Sequence, residues 1–283
     1  MRLYPLNRLC LAALVALGLA AAATAAVSAS PQRITVSLTG NGPILHGPTS
    51  WQPGAVRVTA TSRLADQDVT LLRFRAGYSY ADFLADGTRA QRRGAASRAA
   101  IADVFAHTIF HGGIDLFRGQ SASVTVNVQP GTYYLGEMTS PPHLTRIQVA
   151  GPASNATTRS AATITATNSS YSVSGALPAN GTFTFANASS RPHRVNLIPI
   201  KPGTTRAQVV AYIHKTGGRD NGPPPPFALK GPQLGTADLS PHQQMQLTYR
   251  LPAGTYAALD FDQDMHTGRP ETLEGMVAVV TLR

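Results

Sequence analysis

The sequence predicts an all-β protein built as two similar halves, and three observations carry that expectation. Apolar and polar residues alternate in short runs bounded by Gly, Pro, Asn or Ser, the pattern of half-buried strands. The runs between residues 33 and 150 recur in the same order between residues 163 and 283. Finally, a Gly-Thr-Tyr triplet stands near the end of each series, at Gly131 and at Gly254, 123 residues apart (254 − 131). That period is far longer than a solenoid repeat, so it implies duplication of a whole domain.

In chain order, residues 1–29 read as a signal peptide. Arg2 and Arg8 form a positive start, Leu9 to Leu19 an apolar stretch, and Ala21 to Ala29 a small-residue region with cleavage sites after Ala23, Ala26 or Ala29. The apolar stretch is shorter than the roughly 20 residues that a spanning helix needs. The expectation is an exported chain, secreted or associated with the cell envelope, with no transmembrane segment after cleavage. The sole cysteine, Cys10, leaves with the leader, so the mature chain has no disulfide, thiolate ligand or thiol nucleophile.

The formal net charge is +10, or +8 once Arg2 and Arg8 are gone (10 − 2). Arginine carries most of it, because the lysines are only Lys201, Lys215 and Lys230. A basic exported protein suits anionic cell-envelope polymers as partners. Nucleic acid is not expected, since no basic run is interleaved with aromatics.

From residue 31 to 150 the strand candidates are Ile34 to Leu38, Ala55 to Thr59, Val69 to Phe74 and Ser123 to Val128. Between Tyr78 and His111 an alanine-rich stretch fits helical spacing, with Arg89, Arg92, Arg93 and Arg98 on its solvated side. On that reading His107 and His111, four apart, share one helix face as packing or cap residues, and Gly112-Gly113 ends the helix. Residues 151–162 are small and polar, a linker. The series then restarts between 163 and 283. Thr163 to Thr167 repeats the opening strand, Gly181 to Phe185 repeats Gly54 to Val58, and Val195 to Ile200 repeats Val69 to Phe74. Thr204 to His214 predicts a second, shorter helix, and Gly222 to Pro226 a stiff polyproline connector.

The strand-and-loop pattern resembles the cupredoxin-like family, the Greek-key sandwiches of plastocyanin and azurin. The resemblance rests on Asn187 to Ile198, NASSRPHRVNLI, on Met245 to Arg250 followed by Pro252-Ala253-Gly254-Thr255-Tyr256, and on the closing Gly275-Met276-Val277. It covers residues 163–283 and, more faintly, 33–150. It implies two tandem cupredoxin-like β-sandwiches, each with a short helical insertion.

The same resemblance locates a degenerate copper site. A type-1 centre needs two histidines, a cysteine thiolate and a weak axial methionine. His193 takes the first histidine position and Met276 the axial one. Asp260 stands where the cysteine would be, and Glu271 or His266 where the second histidine would be. In the first half Gln67 replaces the first histidine and Glu137 the cysteine, while His143 remains. Without a thiolate, blue-copper electron transfer is excluded.

Three chemistries remain for the acidic stretch Asp260 to Glu271. A mixed site of His193, Asp260, His266 or Glu271, and Met276 would suit copper or zinc. Asp260, Asp262, Asp264 and Glu271 copy the carboxylate spacing of a calcium loop, but Met265 and Pro270 stand where that loop needs a tight glycine turn and a free backbone, so calcium is the weaker expectation. Alternatively, His193 and Asp260 form a buried hydrogen-bonded pair in place of a metal. Taken together, the residues predict a non-catalytic exported binding or scaffold protein with no cofactor, with copper handling as the alternative.

Overall fold

The computed structural model describes residues 30–64, 67–92, 94–138, 142–154, 156, 158–218 and 224–283. The predicted leader, Arg93 and the first part of the polyproline connector lie outside the described residues.

The first half comprises β1 (Gln32–Thr39), β2 (Gly42–His46), β3 (Ser50–Trp51), β4 (Gly54–Ser62) and β5 (Gln67–Phe74). These are followed by α1 (Tyr80–Ala90), α2 (Ala95–His107), β6 (Thr108–Leu116), β7 (Ser121–Val128), β8 (Gly131–Glu137) and β9 (His143–Val149). The second half comprises β10 (Ala162–Ala166), β11 (Tyr171–Gly175), β12 (Asn180–Asn187), β13 (Asn196–Ile200) and α3 (Arg206–Thr216). It continues with β14 (Leu234–Gly235), β15 (Gln244–Arg250), β16 (Gly254–Leu259), a 3-10 turn at Glu271–Glu274, and β17 (Val277–Leu282).

Two sheets face each other. One runs β11-β10-β12-β15-β7-β4-β1-β2 and the other β17-β16-β13-β14-β6-β5-β8-β9-β3. Each half is the expected cupredoxin-like Greek-key sandwich, and the duplication holds strand for strand. Within the first sheet, β2-β1-β4-β7 repeats as β11-β10-β12-β15; within the second, β6-β5-β8-β9 repeats as β14-β13-β16-β17. Even the parallel pair β1/β4 recurs as β10/β12.

The alternation read from the sequence is the alternation of burial. Ile34, Val36 and Leu38 on β1 and Val56, Val58 and Ala60 on β4 point inward, while the intervening residues face outward. Both helices with clear signals are capped as their sequences demand. Ser79 and Asp82 close a capping box on α1, and Thr205 and Gln208 do so on α3, whose far end stops at left-handed Gly217. Such caps contribute about 1 kcal/mol each.

One expectation fails. His111 does not share a helix face with His107: α2 ends at His107, and His111 lies on β6. The residues Thr108-Ile109-Phe110 are β-branched or aromatic and pair with Phe74, Arg73 and Leu72 of β5, which overrides the helical tendency of the alanines before them. Gly113 is also a strand residue rather than a helix stop. A Cβ there would lie 1.9 Å from the Val69 carbonyl oxygen, so only glycine permits the close crossing of β5 and β6.

The halves are fused rather than merely strung together. β7 pairs with its own counterpart β15 (Val124 opposite Leu247), and β6 with its counterpart β14 (Asp115 opposite Gly235). Like meets like at both joints, the self-complementary contact of a two-fold dimer made within one chain. A continuous apolar core spans both halves, running from Ile34 and Trp51 through Val124 and Leu247 to Phe183 and Tyr256.

Candidate functional site

His193 lies just before β13, fixed by two backbone hydrogen bonds with Leu239: its N–H donates to Leu239 O at 3.1 Å and its carbonyl accepts from Leu239 N at 2.9 Å. Asp260 leaves the end of β16, and its N–H donates to Met276 O at 3.3 Å. The strands therefore bring together residues 67 positions apart. His193 Nδ1 donates to Asp260 Oδ2 at 2.9 Å, with both side chains 0% exposed. The same carboxylate accepts from Arg194 N at 3.3 Å and from Asp262 N at 3.0 Å.

The remaining acids of the loop are held by the two arginines that flank His193 in the sequence Arg191-Pro192-His193-Arg194. Arg191 pairs with Asp264, and with Glu271 Oε1 at 3.3 Å. Arg194 Nε reaches Asp262 Oδ2 at 2.8 Å and Asp238 Oδ1 at 3.3 Å. Asp264 also accepts from the N–H groups of His266 and Thr267, at 2.7 and 2.6 Å. Burial pushes the Glu271 carboxyl up to about 7 against the pull of Arg191, and its Oε2 is buried without a hydrogen-bond partner. The acidic loop is a turn closed over the counter-ions Arg191 and Arg194.

The positions picked out by the copper resemblance are only partly assembled. His193 and Asp260 meet; Glu271 is buried beside Arg191; Met276 is fully buried in the apolar core; His266 is exposed on the turn. As placed, they do not fit a metal ion. Asp260 already accepts three N–H groups, Glu271 faces a guanidinium, and among the described residues no three His, Cys, Asp or Glu side chains are arranged to hold a metal. The first half carries a parallel arrangement. Gln67 hydrogen-bonds Glu137, whose carboxyl burial pushes up, and accepts from Ser62 Oγ at 2.7 Å. His143 begins β9 and is exposed.

A feature missed in the sequence lies next to this network. A cleft of about 930 Å³ opens on the outer face of the second sheet, between α3 and the chain around residues 224–233. Ile198, Val209, Tyr212, Phe227, Leu259 and Phe261 form its apolar walls, and Asp115, Arg194, Lys230 and Asp262 are its charged groups. Phe261 was the available signal. An aromatic between Asp260 and Asp262 has no reason to sit in a purely solvated loop, and here its ring lines the cleft.

No protein-family model matches the chain, and no curated protein matches it. Solved structures do. An auracyanin from the photosynthetic bacterium Roseiflexus castenholzii matches with 21% identity over 43% of this chain and 94% of its own, at a TM-score of 0.26. A copper nitrite reductase from Nitrosomonas europaea matches with 12% identity over 90% of this chain and 94% of its own, at 0.23. A multicopper oxidase matches with 14% identity over 89% of this chain and 88% of its own, also at 0.23. The strand order of the two sheets, not these scores, carries the fold.

Proposed function

We propose that this chain is an exported, non-catalytic binding protein whose ligand site is the cleft beside α3. The cleft carries the reading: about 930 Å³ falls within the range of small-molecule sites, which are mostly apolar with a few polar groups. Apolar walls and one charged end, bounded by Arg194 and Asp262, match that description. The buried His193–Asp260 pair supports the non-metal half of the reading, because Asp260 accepts three N–H groups, one of them from His193 Nδ1, while His193 Nε2 is left buried without a partner. Its role is to tie β16 and the acidic loop to the segment before β13, which sets the floor of the cleft. Among the described residues no helix is long and apolar enough to cross a membrane.

The test is calorimetric titration of the leader-free chain with octanol, and separately with copper(II) and zinc(II). Saturable octanol binding that is lost in Ala228→Trp, a variant placing an indole in the cleft, is the expected result. Absence of octanol binding would overturn the cleft reading. Copper or zinc binding that disappears in His193→Ala would replace it with metal handling.

A further inference from the structure

We infer that the outer face of the first sheet docks an anionic polysaccharide of the polyuronate class. This surface lies across the sandwich from the cleft and does not depend on it. Its charges carry the inference. None of the eight strands of this sheet contains Asp or Glu, and neither do residues 151–162 of the linker. Arg33, Arg57 and Arg250 stand on the outer face. The linker lies against it through Thr158 O with Gln246 and Ser160 with Thr184, and adds the exposed Arg159. Among the described residues the arginines paired with carboxylates are Arg89, Arg191, Arg194 and Arg269, none of which lies on this face. Arg33 stands opposite Arg57 in register. Like charges on neighbouring strands repel, and an anion laid along the pair relieves that repulsion.

Beside the arginines runs a row of hydroxyls. The register aligns Thr35, Thr59, Ser123, Thr248 and Thr182 on five adjacent strands. At about 4.8 Å per strand the row is about 19 Å long. It crosses the joint of β7 with β15, so it exists only because the halves are fused. The hydroxyls of Thr59 and Ser123 bond at 2.7 Å and those of Thr182 and Thr248 at 2.8 Å, which leaves acceptor capacity on each oxygen. Arg57 Nε donates to Thr125 Oγ1 at 3.3 Å and its Nη2 to Thr248 Oγ1 at 3.5 Å, so the guanidinium is held beside the row by neutral partners. A groove of about 250 Å³, lined by Thr125, Asn127, Thr158 and Gln246, adjoins it. Repeated hydroxyls and carboxylates along a polymer match this surface, because guanidiniums hold carboxylates with two parallel hydrogen bonds. The outer face presents no aromatic on which a nucleic-acid base could stack. The exposed large apolar residues of this sheet, Ile44 and Val173, stand at its two opposite edges, on β2 and β11, so no apolar patch is offered to a lipid or protein partner.

The experiment titrates the leader-free protein with alginate, with dextran and with duplex DNA by calorimetry at one ionic strength. Alginate is expected to bind, more weakly as salt rises, and dextran not to bind. Arg33→Gln with Arg250→Gln should weaken alginate binding about threefold or more, the size of two exposed charge contacts. Arg75→Gln with Arg92→Gln removes the same charge from exposed positions on the α1 side of the second sheet and should change it less. Thr59→Val with Thr248→Val removes two hydroxyls of the row, keeps β-branched side chains in the strands and should also weaken binding. Absence of alginate binding, or dextran binding as tight as alginate, overturns the inference. Equal losses in the two arginine pairs would reduce the binding to net charge and overturn the assigned face. DNA binding as tight as alginate, or undiminished alginate affinity in the threonine pair, overturns the polysaccharide as the ligand.

Discussion

Removing either member of the His193–Asp260 pair should cost a large part of the protein's stability. In His193→Ala, Asp260 keeps the N–H groups of Arg194 and Asp262 but loses the ring donor at 2.9 Å, in a site where both side chains are 0% exposed. A hydrogen bond to a charged group contributes about 1.5–3 kcal/mol, and stripping one partner from a buried pair costs about 3–5 kcal/mol. In Asp260→Ala the ring and two backbone N–H groups lose their acceptor, at about 1–3 kcal/mol for each one left buried. Either single variant should therefore fall by about 3–5 kcal/mol, against a total near 5–15 kcal/mol. Because both remove the same contact, the double variant should be at least about 2 kcal/mol more stable than the sum of the singles predicts. Urea unfolding with an unchanged m-value measures all three. A single-variant cost below about 1 kcal/mol, typical of a surface change, or strict additivity in the double, would refute the claim that this pair anchors the loop.

Other outcomes follow from the same geometry. Glu271 has its folded pKa raised from 4.5 to about 7 by burial, so its stability contribution is intact below pH 4.5 and is lost as pH rises toward 7. Relative to the permanently neutral Glu271→Gln, the unmodified chain should lose about 3 kcal/mol across that window, at 1.36 kcal/mol per unit; melting curves against pH that stay parallel for the two proteins would contradict this. Gly113→Ala should cost several kcal/mol or prevent folding, because its Cβ would meet the Val69 carbonyl at 1.9 Å, whereas Gly77→Ala, which meets nothing within 4 Å, should cost only the strain of its positive φ of 83°. Residues 163–283 expressed alone should fail to give a cooperative unfolding transition, since the cut bares β14, β15 and half of the shared core; a sharp two-state melt of that fragment would disprove the fused-core description.

Much was legible from residue order because strands and duplication are local or repetitive signals. Alternation along β1, β4 and β7 reports which face is buried, and the paired Gly-Thr-Tyr triplets report that one plan was used twice. The capping residues of α1 and α3 act over a few positions and can be read the same way. Even the meeting of His193 with Asp260 was accessible, because a resemblance of fold carries positional information that composition does not. His111 was misread for the opposite reason: alanine-rich propensity is a weak local preference, and pairing of Thr108 to Phe110 with β5 outweighed it.

What residue order left open was decided by contacts between distant segments. Nothing in the spacing of Asp262, Asp264 and Glu271 reveals that Arg191 and Arg194 turn toward them, which converts an apparent metal loop into a set of ion pairs. The joints of β7 with β15 and of β6 with β14 bring together positions more than a hundred residues apart, and edge pairing leaves no periodic mark that tells a partner strand from solvent. The cleft exists only because α3 and the 224–233 segment cover the second sheet incompletely. Local physical chemistry settles which faces are apolar and where the chain turns; which charges meet, and which apolar surface stays uncovered, depend on the assembled halves.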